Sequence, residues 1–115
     1  MSKYMQLNVR IRPHYEDGFA KAYPAIAKRL RSVGEPVLKD EPSLFEIVKK
    51  WDLLLDQLGG DPSFKELLLR YGGRLQEFYG KIEENIVDWH LSEADQMLYK
   101  MEDMFEEIDR EAAGV

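Results

Sequence analysis

Two series of apolar residues, each with a spacing of seven, run through the last quarter of the chain. This spacing is the heptad pattern of a helix that packs along another helix. It predicts a helix over residues 92–112, with Ser92 and Asp95 as a start signal. One series is Leu91, Leu98, Phe105 and Ala112, and the other is Ala94, Met101, Ile108 and Val115.

In the segment before it, residues 62–90, successive apolar residues are alternately four and three positions apart. Asn85 occupies one of the core-type positions of this pattern, and Trp89 occupies the last. The two segments are therefore expected to form an antiparallel helical hairpin. Gly72 and Gly73 leave two alternatives open: the first helix runs on to His90, or it breaks at these glycines. The apolar residues of this pattern are Phe64, Leu68, Tyr71, Leu75, Phe78, Ile82 and Trp89.

Two further helices are predicted earlier in the chain, over residues 43–58 and 15–33. The first follows the start signal Glu41-Pro42-Ser43, which Asp61-Pro62-Ser63 repeats before the hairpin. The second contains Pro24, which lacks an N–H group, so this helix either kinks there or begins near Pro24.

Residues 5–11 alternate between apolar and polar side chains, which is typical of a β-strand. No second strand is evident, so the segment is expected to be an extended arm or a lone strand. The predicted fold is all-α: a helical bundle or long antiparallel hairpin over residues 15–115, with an N-terminal arm over residues 1–14. The apolar members of the alternation are Met5, Leu7, Val9 and Ile11.

Composition excludes several classes of protein. The chain has no Cys, so it has no disulfide framework, thiol nucleophile or thiolate metal site. It has no apolar run near the ~20 residues of a membrane helix. Its alternating N-terminus does not have the pattern of a signal peptide, and we therefore expect a cytoplasmic protein that does not bind membranes.

The net charge of −6 hides two halves of opposite sign. Residues 1–40 contain eight Lys or Arg and four Asp or Glu, whereas residues 41–115 contain eight and 18. The basic half is expected to pack against the acidic helices of its own chain or of a neighbouring copy. Alternatively, it binds nucleic acid, whose phosphates attract clustered Lys and Arg.

The nucleic-acid alternative depends on the N-terminal arm residues Gln6, Asn8, Arg10 and Arg12. A strand with Gln6, Asn8 and Arg10 on its polar face, followed by a helix, resembles the ribbon-helix-helix repressors. This resemblance implies a two-stranded ribbon from two copies that enters the major groove. In that groove Gln and Asn side chains read adenine, and Arg reads guanine.

Carboxylates on the last helix suggest a third possibility, a divalent-metal hydrolase. Glu106 and Asp109, three residues apart, resemble half of the motif of the all-α nucleotide pyrophosphatases, but the preceding helix lacks the Glu-x-x-Glu half. Most acids on these helices flank the apolar seam or face away from it, which favours a solvated face. No metal site, cofactor or catalytic residue is therefore predicted, and neither His14 nor His90 belongs to a catalytic pattern.

The leading hypothesis is a non-enzymatic module for protein–protein interaction, either a homo-oligomer or a small subunit or adaptor of a larger assembly. Its interface would be the hairpin seam, with the arm Gln6–Arg12 reaching a second chain. Asn85 would fix the register of the assembly, as polar core residues do in coiled coils. The predicted seam residues are Leu98, Met101, Phe105, Ile108, Asn85 and Trp89.

Overall fold

The all-α prediction is confirmed by a computed structural model, which describes residues 11, 15, 17–32 and 42–114. Helices account for 83% of these residues, and no strand occurs among them. The predicted strand lies outside the described residues except for Ile11, which is half-buried against the core. The helices are α1 (Phe19–Ala22), α2 (Pro24–Ser32), α3 (Leu44–Lys49), α4 (Trp51–Gln57), α5 (Pro62–Val87) and α6 (Leu91–Gly114).

Helices α5 and α6 form the predicted antiparallel hairpin. Helix α5 continues through Gly72 and Gly73 without a break, so the unbroken alternative is correct. It ends at Val87, three residues before the predicted end at His90. At its start the Asp61 carboxylate accepts a hydrogen bond of 3.4 Å from the Phe64 N–H, as an N-cap residue does.

The predicted helix over residues 43–58 is in fact two helices, which meet at Lys50. The Lys50 N–H is shared between the carbonyls of Glu46 and Ile47, at 3.2 and 3.1 Å, and its backbone leaves the helical region. The prediction of one helix was wrong here because the apolar spacing continues across the break. Directly after it, the buried Trp51 ring lies against α5 at Gly72.

Gly72 has room for hydrogen only on the side that faces Trp51. A Cβ atom at this position would lie 2.7 Å from Nε1 of the indole ring, which is closer than such atoms pack. The Nε1 atom itself is buried and has no hydrogen-bond partner among the described residues. The glycine therefore lets the ring of α4 approach the backbone of α5 closely.

The predicted helix over residues 15–33 is divided by Pro24. Helix α2 begins at this proline, which agrees with the alternative that the helix starts near Pro24. Its first free N–H groups, those of Ala25 and Ile26, each donate a 3.0 Å hydrogen bond to Oδ1 of Asp109 on α6. The cap of α2 thus comes from a helix more than 80 residues further along the chain.

One hydrophobic core joins the shorter helices to the hairpin. Helix α2 packs on α6, and both α3 and α4 pack on α5. The rings of Tyr23 and Trp51 both contact the Phe105 ring, with centroids 5.9 and 6.2 Å away. Fully buried side chains of this core include Phe19, Leu30, Val48, Leu58, Phe64, Leu67, Leu75, Met101 and Ile108.

An ion pair joins the end of α2 to the start of α5. Nη1 of Arg29 lies 2.8 Å from both carboxylate oxygens of Asp61, and the guanidinium lies over the Phe64 ring. The hydrogen bond from Arg29 is the main reason why the pKa of Asp61 lies below its ordinary value. Asp61 therefore both caps α5 and holds α2 beside it.

Within the described ranges, none of the helices combines the length and the hydropathy needed to cross a lipid bilayer.

Candidate interaction surface

The structure places the predicted seam residues in three different environments. Met101, Phe105 and Ile108 are buried in the chain's own core, Leu98 and Asn85 are half-buried, and Trp89 is exposed. The seam is thus mainly the internal packing surface of the hairpin. The arm residues Gln6, Asn8, Arg10 and Arg12 lie outside the described residues.

The exposed part of the hairpin is its closed end, residues 83–99, which we call the hairpin tip. The shorter helices contact the hairpin below it: Phe45 stacks on Tyr79 with a centroid distance of 4.3 Å, and Tyr23 contacts Phe105. Val87 lies about 12 Å beyond Tyr79, at about 1.5 Å of helix per residue. The tip comprises residues 83–87 of α5 and residues 91–99 of α6, and within it only Ala94 is buried. These ends form a two-helix layer with no covering helix among the described residues.

The turn of the hairpin has an unfavourable residue at its central position. The Trp89 N–H donates to the Ile86 carbonyl at 3.1 Å, and the His90 N–H donates to the Asn85 carbonyl at 2.7 Å. This pair of hydrogen bonds is the Schellman motif, whose central residue is left-handed and is usually glycine. Trp89 adopts this conformation with φ 59°, and it is the one non-glycine residue with positive φ among those described.

Apolar side chains surround this turn and are open to solvent. Val87 is 76% exposed and Trp89 is 48% exposed, and Leu91 and Tyr99 are exposed as well. Half-buried apolar residues adjoin them along the two helices: Ile86, Met97 and Leu98.

The tip is also strongly acidic. It contains five carboxylates and no Lys or Arg, and none of the five has an ion-pair partner within the described part of the chain. Just below it, the pKa of Glu102 is raised by partial burial and then by the negative charges of Glu106, Asp103 and Asp95. The carboxylates of the tip are Glu83, Glu84, Asp88, Glu93 and Asp95.

The carboxylates considered for a metal site do not come together. Asp109 uses one oxygen to cap α2, while Glu106 lies exposed on the same helix. Across residues 15, 17–32 and 42–114, no three acidic or histidine side chains converge as metal ligands would. His90 lies in the hairpin turn, and His14 lies outside the described residues.

The apolar spacing predicts Trp89 on the seam, whereas the structure places it in the turn of the hairpin. The spacing of four and three continues up to residue 89, but α5 ends two residues earlier. A usable signal was present: Asp88-Trp89-His90 separates two helical patterns without a glycine, so a residue other than glycine had to make the turn.

Comparison with models of known protein families, with curated proteins and with solved structures finds no match to this chain.

Proposed function

We propose that this chain is a non-enzymatic protein-interaction module and that the hairpin tip is its docking surface. The observation that carries the proposal is Trp89, an exposed aromatic residue held in a left-handed turn conformation. This conformation costs an L-residue roughly 1–2 kcal/mol, so Trp at this position lowers the stability of the free chain. Strained residues of this kind cluster at binding sites.

The residue types of the tip support an interface. Trp and Met are enriched in protein interfaces, and Trp is among the residues that most often contribute a large share of binding energy. Trp89 lies between the ends of two helices, which hold its backbone through the two turn hydrogen bonds. A partner would therefore meet an anchor whose backbone is already fixed.

The proposal uses the tip rather than the middle of the predicted seam. Met101, Phe105 and Ile108 already pack inside the chain, so a partner could reach them only by displacing α2 to α4. Leu98 and Trp89 remain accessible and belong to the proposed surface. The partner is a second copy or another protein of a larger assembly.

Position-specific photocrosslinking tests this function. The variant Val87→p-benzoylphenylalanine places the reactive group at the tip, and Leu53→p-benzoylphenylalanine places it on α4 at a comparable exposure of 61%. In extracts of the source cells we expect a discrete product from position 87 and none from position 53. Excess unlabelled chain should compete for this product, whereas excess Trp89→Ala chain should not.

Two results would contradict the proposal. One is the absence of any product from position 87, and the other is the same set of products from both positions. Mass spectrometry of the product decides between a second copy of this chain and a different protein.

A further inference from the structure

On the basis of the proposed function, we infer that the hairpin tip binds a cationic amphipathic helix of another protein. The Lys and Arg side chains of that helix would face the carboxylates of the tip, and its apolar side would cover Trp89, Met97 and Leu98.

Charge complementarity indicates a basic partner. The tip has four carboxylates on two adjacent helices and a fifth, Asp88, in the turn between them, with no Lys or Arg and no ion pair within it. Five negative charges concentrated within residues 83–99 repel one another, and a row of basic side chains would relieve that repulsion on binding. An acidic or neutral partner would leave this repulsion in place.

The end of α5 supports the same conclusion. The carbonyl end of a helix carries partial negative charge and favours Lys, Arg or protonated His in its last turn. The last turn of α5 contains no basic residue, and Glu84 stands there instead. The missing positive charge is one that a partner can supply. Violations of such local preferences are expected at functional sites.

The shape of the tip favours a helix as the bound element. Below the tip, α2 lies along α6 and α3–α4 lies along α5, so the hairpin is covered by helices there. At the tip the same two helices are left with half-buried Ile86, Met97 and Leu98 and no covering element among the described residues. One helix laid across these half-buried residues would complete a three-helix layer. The flexible Met97 side chain would adapt to its apolar side.

Fluorescence anisotropy with a defined probe tests the inference on the full chain. The probe is a labelled amphipathic peptide of Leu and Lys, of about 14 residues or four helical turns. The matched control has Glu in place of every Lys. We expect the Lys peptide to bind at least tenfold more tightly, with an affinity that falls as salt rises from about 0.05 to about 0.5 M.

Three variants locate the binding. Trp89→Ala should weaken binding of the Lys peptide about tenfold, as the loss of an interface anchor does. Glu84→Gln/Asp88→Asn/Glu93→Gln should weaken it similarly and reduce its salt dependence. The matched control Asp52→Asn/Asp56→Asn/Glu66→Gln neutralises three exposed acids outside the tip and should bind like the wild type. Circular dichroism establishes that each variant is folded.

Several outcomes would overturn the inference. They are equal binding of the Lys and Glu peptides, equal weakening by both triple variants, and Trp89-dependent binding to phosphatidylserine vesicles in place of the peptide. A dimer of the free chain that Trp89→Ala dissociates would assign the tip to a second copy. If the protein crosslinked at position 87 contacts it through a neutral or acidic segment, the inference fails while the proposed function stands. If crosslinking at position 87 were not specific to that position, the proposed function itself would be contradicted.

Discussion

Gly72 and Gly73 are neighbours in α5, yet replacement by Ala should stabilise the chain at position 73 only. A Cβ atom at position 72 would lie 2.7 Å from Nε1 and 3.2 Å from Cδ1 of Trp51. At position 73 the same atom would meet no described atom within 4 Å apart from the adjoining backbone of α5. The Trp51 ring is 2% exposed, so it has little room to move away.

The size of the difference follows from two opposing effects. Replacing Gly with Ala in a helix adds about 1 kcal/mol to the free energy of unfolding at either position. At position 72 the added methyl group also overpacks the core, which costs about 1–3 kcal/mol. We therefore expect Gly73→Ala to be the more stable variant by about 1–3 kcal/mol, and each kcal/mol to move the melting temperature by about 4 °C.

Urea unfolding followed by far-UV circular dichroism measures both variants. A double-mutant cycle with Trp51→Phe then isolates the contact, because Phe lacks the Nε1 atom that the new methyl group at position 72 would meet. In the Trp51→Phe background, Gly72→Ala should approach the gain seen at position 73, with a coupling of about 1 kcal/mol or more. If Gly72→Ala were as stabilising as Gly73→Ala in the wild-type chain, the close approach of Trp51 to α5 would be refuted.

Three other changes test single contacts, each by urea unfolding. Trp89→Gly should be about 1 kcal/mol more stable than Trp89→Ala, since only Gly adopts the left-handed turn without strain, and the opposite order would exclude that turn. Asp109→Ala should cost about 1 kcal/mol or more by removing the cap of α2, and Asp109→Asn should recover most of it, whereas equal losses would contradict the cap. The pKa of Asp61 is lowered in the folded chain, so the stability from its pair with Arg29 is complete above the ordinary pKa near 4 and is lost as the pH falls through the lower folded value. Asp61→Asn should therefore be less stable than the wild type at neutral pH but approach it below about pH 4, and a constant difference would contradict the ion pair.

The hairpin was predictable because its pattern is long. Two heptad series over more than twenty residues specify one face of a helix, and Ala94, Met101 and Ile108 are buried as that pattern requires. Leu91 belongs to the other series but is exposed, because the chain turns there and no described helix covers it. Periodicity identifies the face of a helix, but it does not show where neighbouring helices stop.

The features that the sequence did not predict depend on tertiary contacts. The break between α3 and α4 falls at Lys50. Lysine is neither proline nor glycine, the residues that usually interrupt a helix, so the sequence contains no signal for this break. The apolar spacing of residues 62–90 includes Trp89 and so predicts a core residue there, but α5 has already ended at Val87. The sequence predicts a solvated acidic face for Asp109, because a cap from a distant helix leaves no local pattern.

The cap that Asp109 provides also bears on the order in which the chain can fold. Most helices receive their N-terminal cap from an adjacent residue, so they can form a complete first turn alone. The first turn of α2 is completed only after a loop of more than 80 residues has closed. Because closing such a loop costs entropy, we expect this step to follow the local contacts of the hairpin. The amide protons of Ala25 and Ile26 are therefore natural reporters on the docking of α6, since their protection from exchange depends on it.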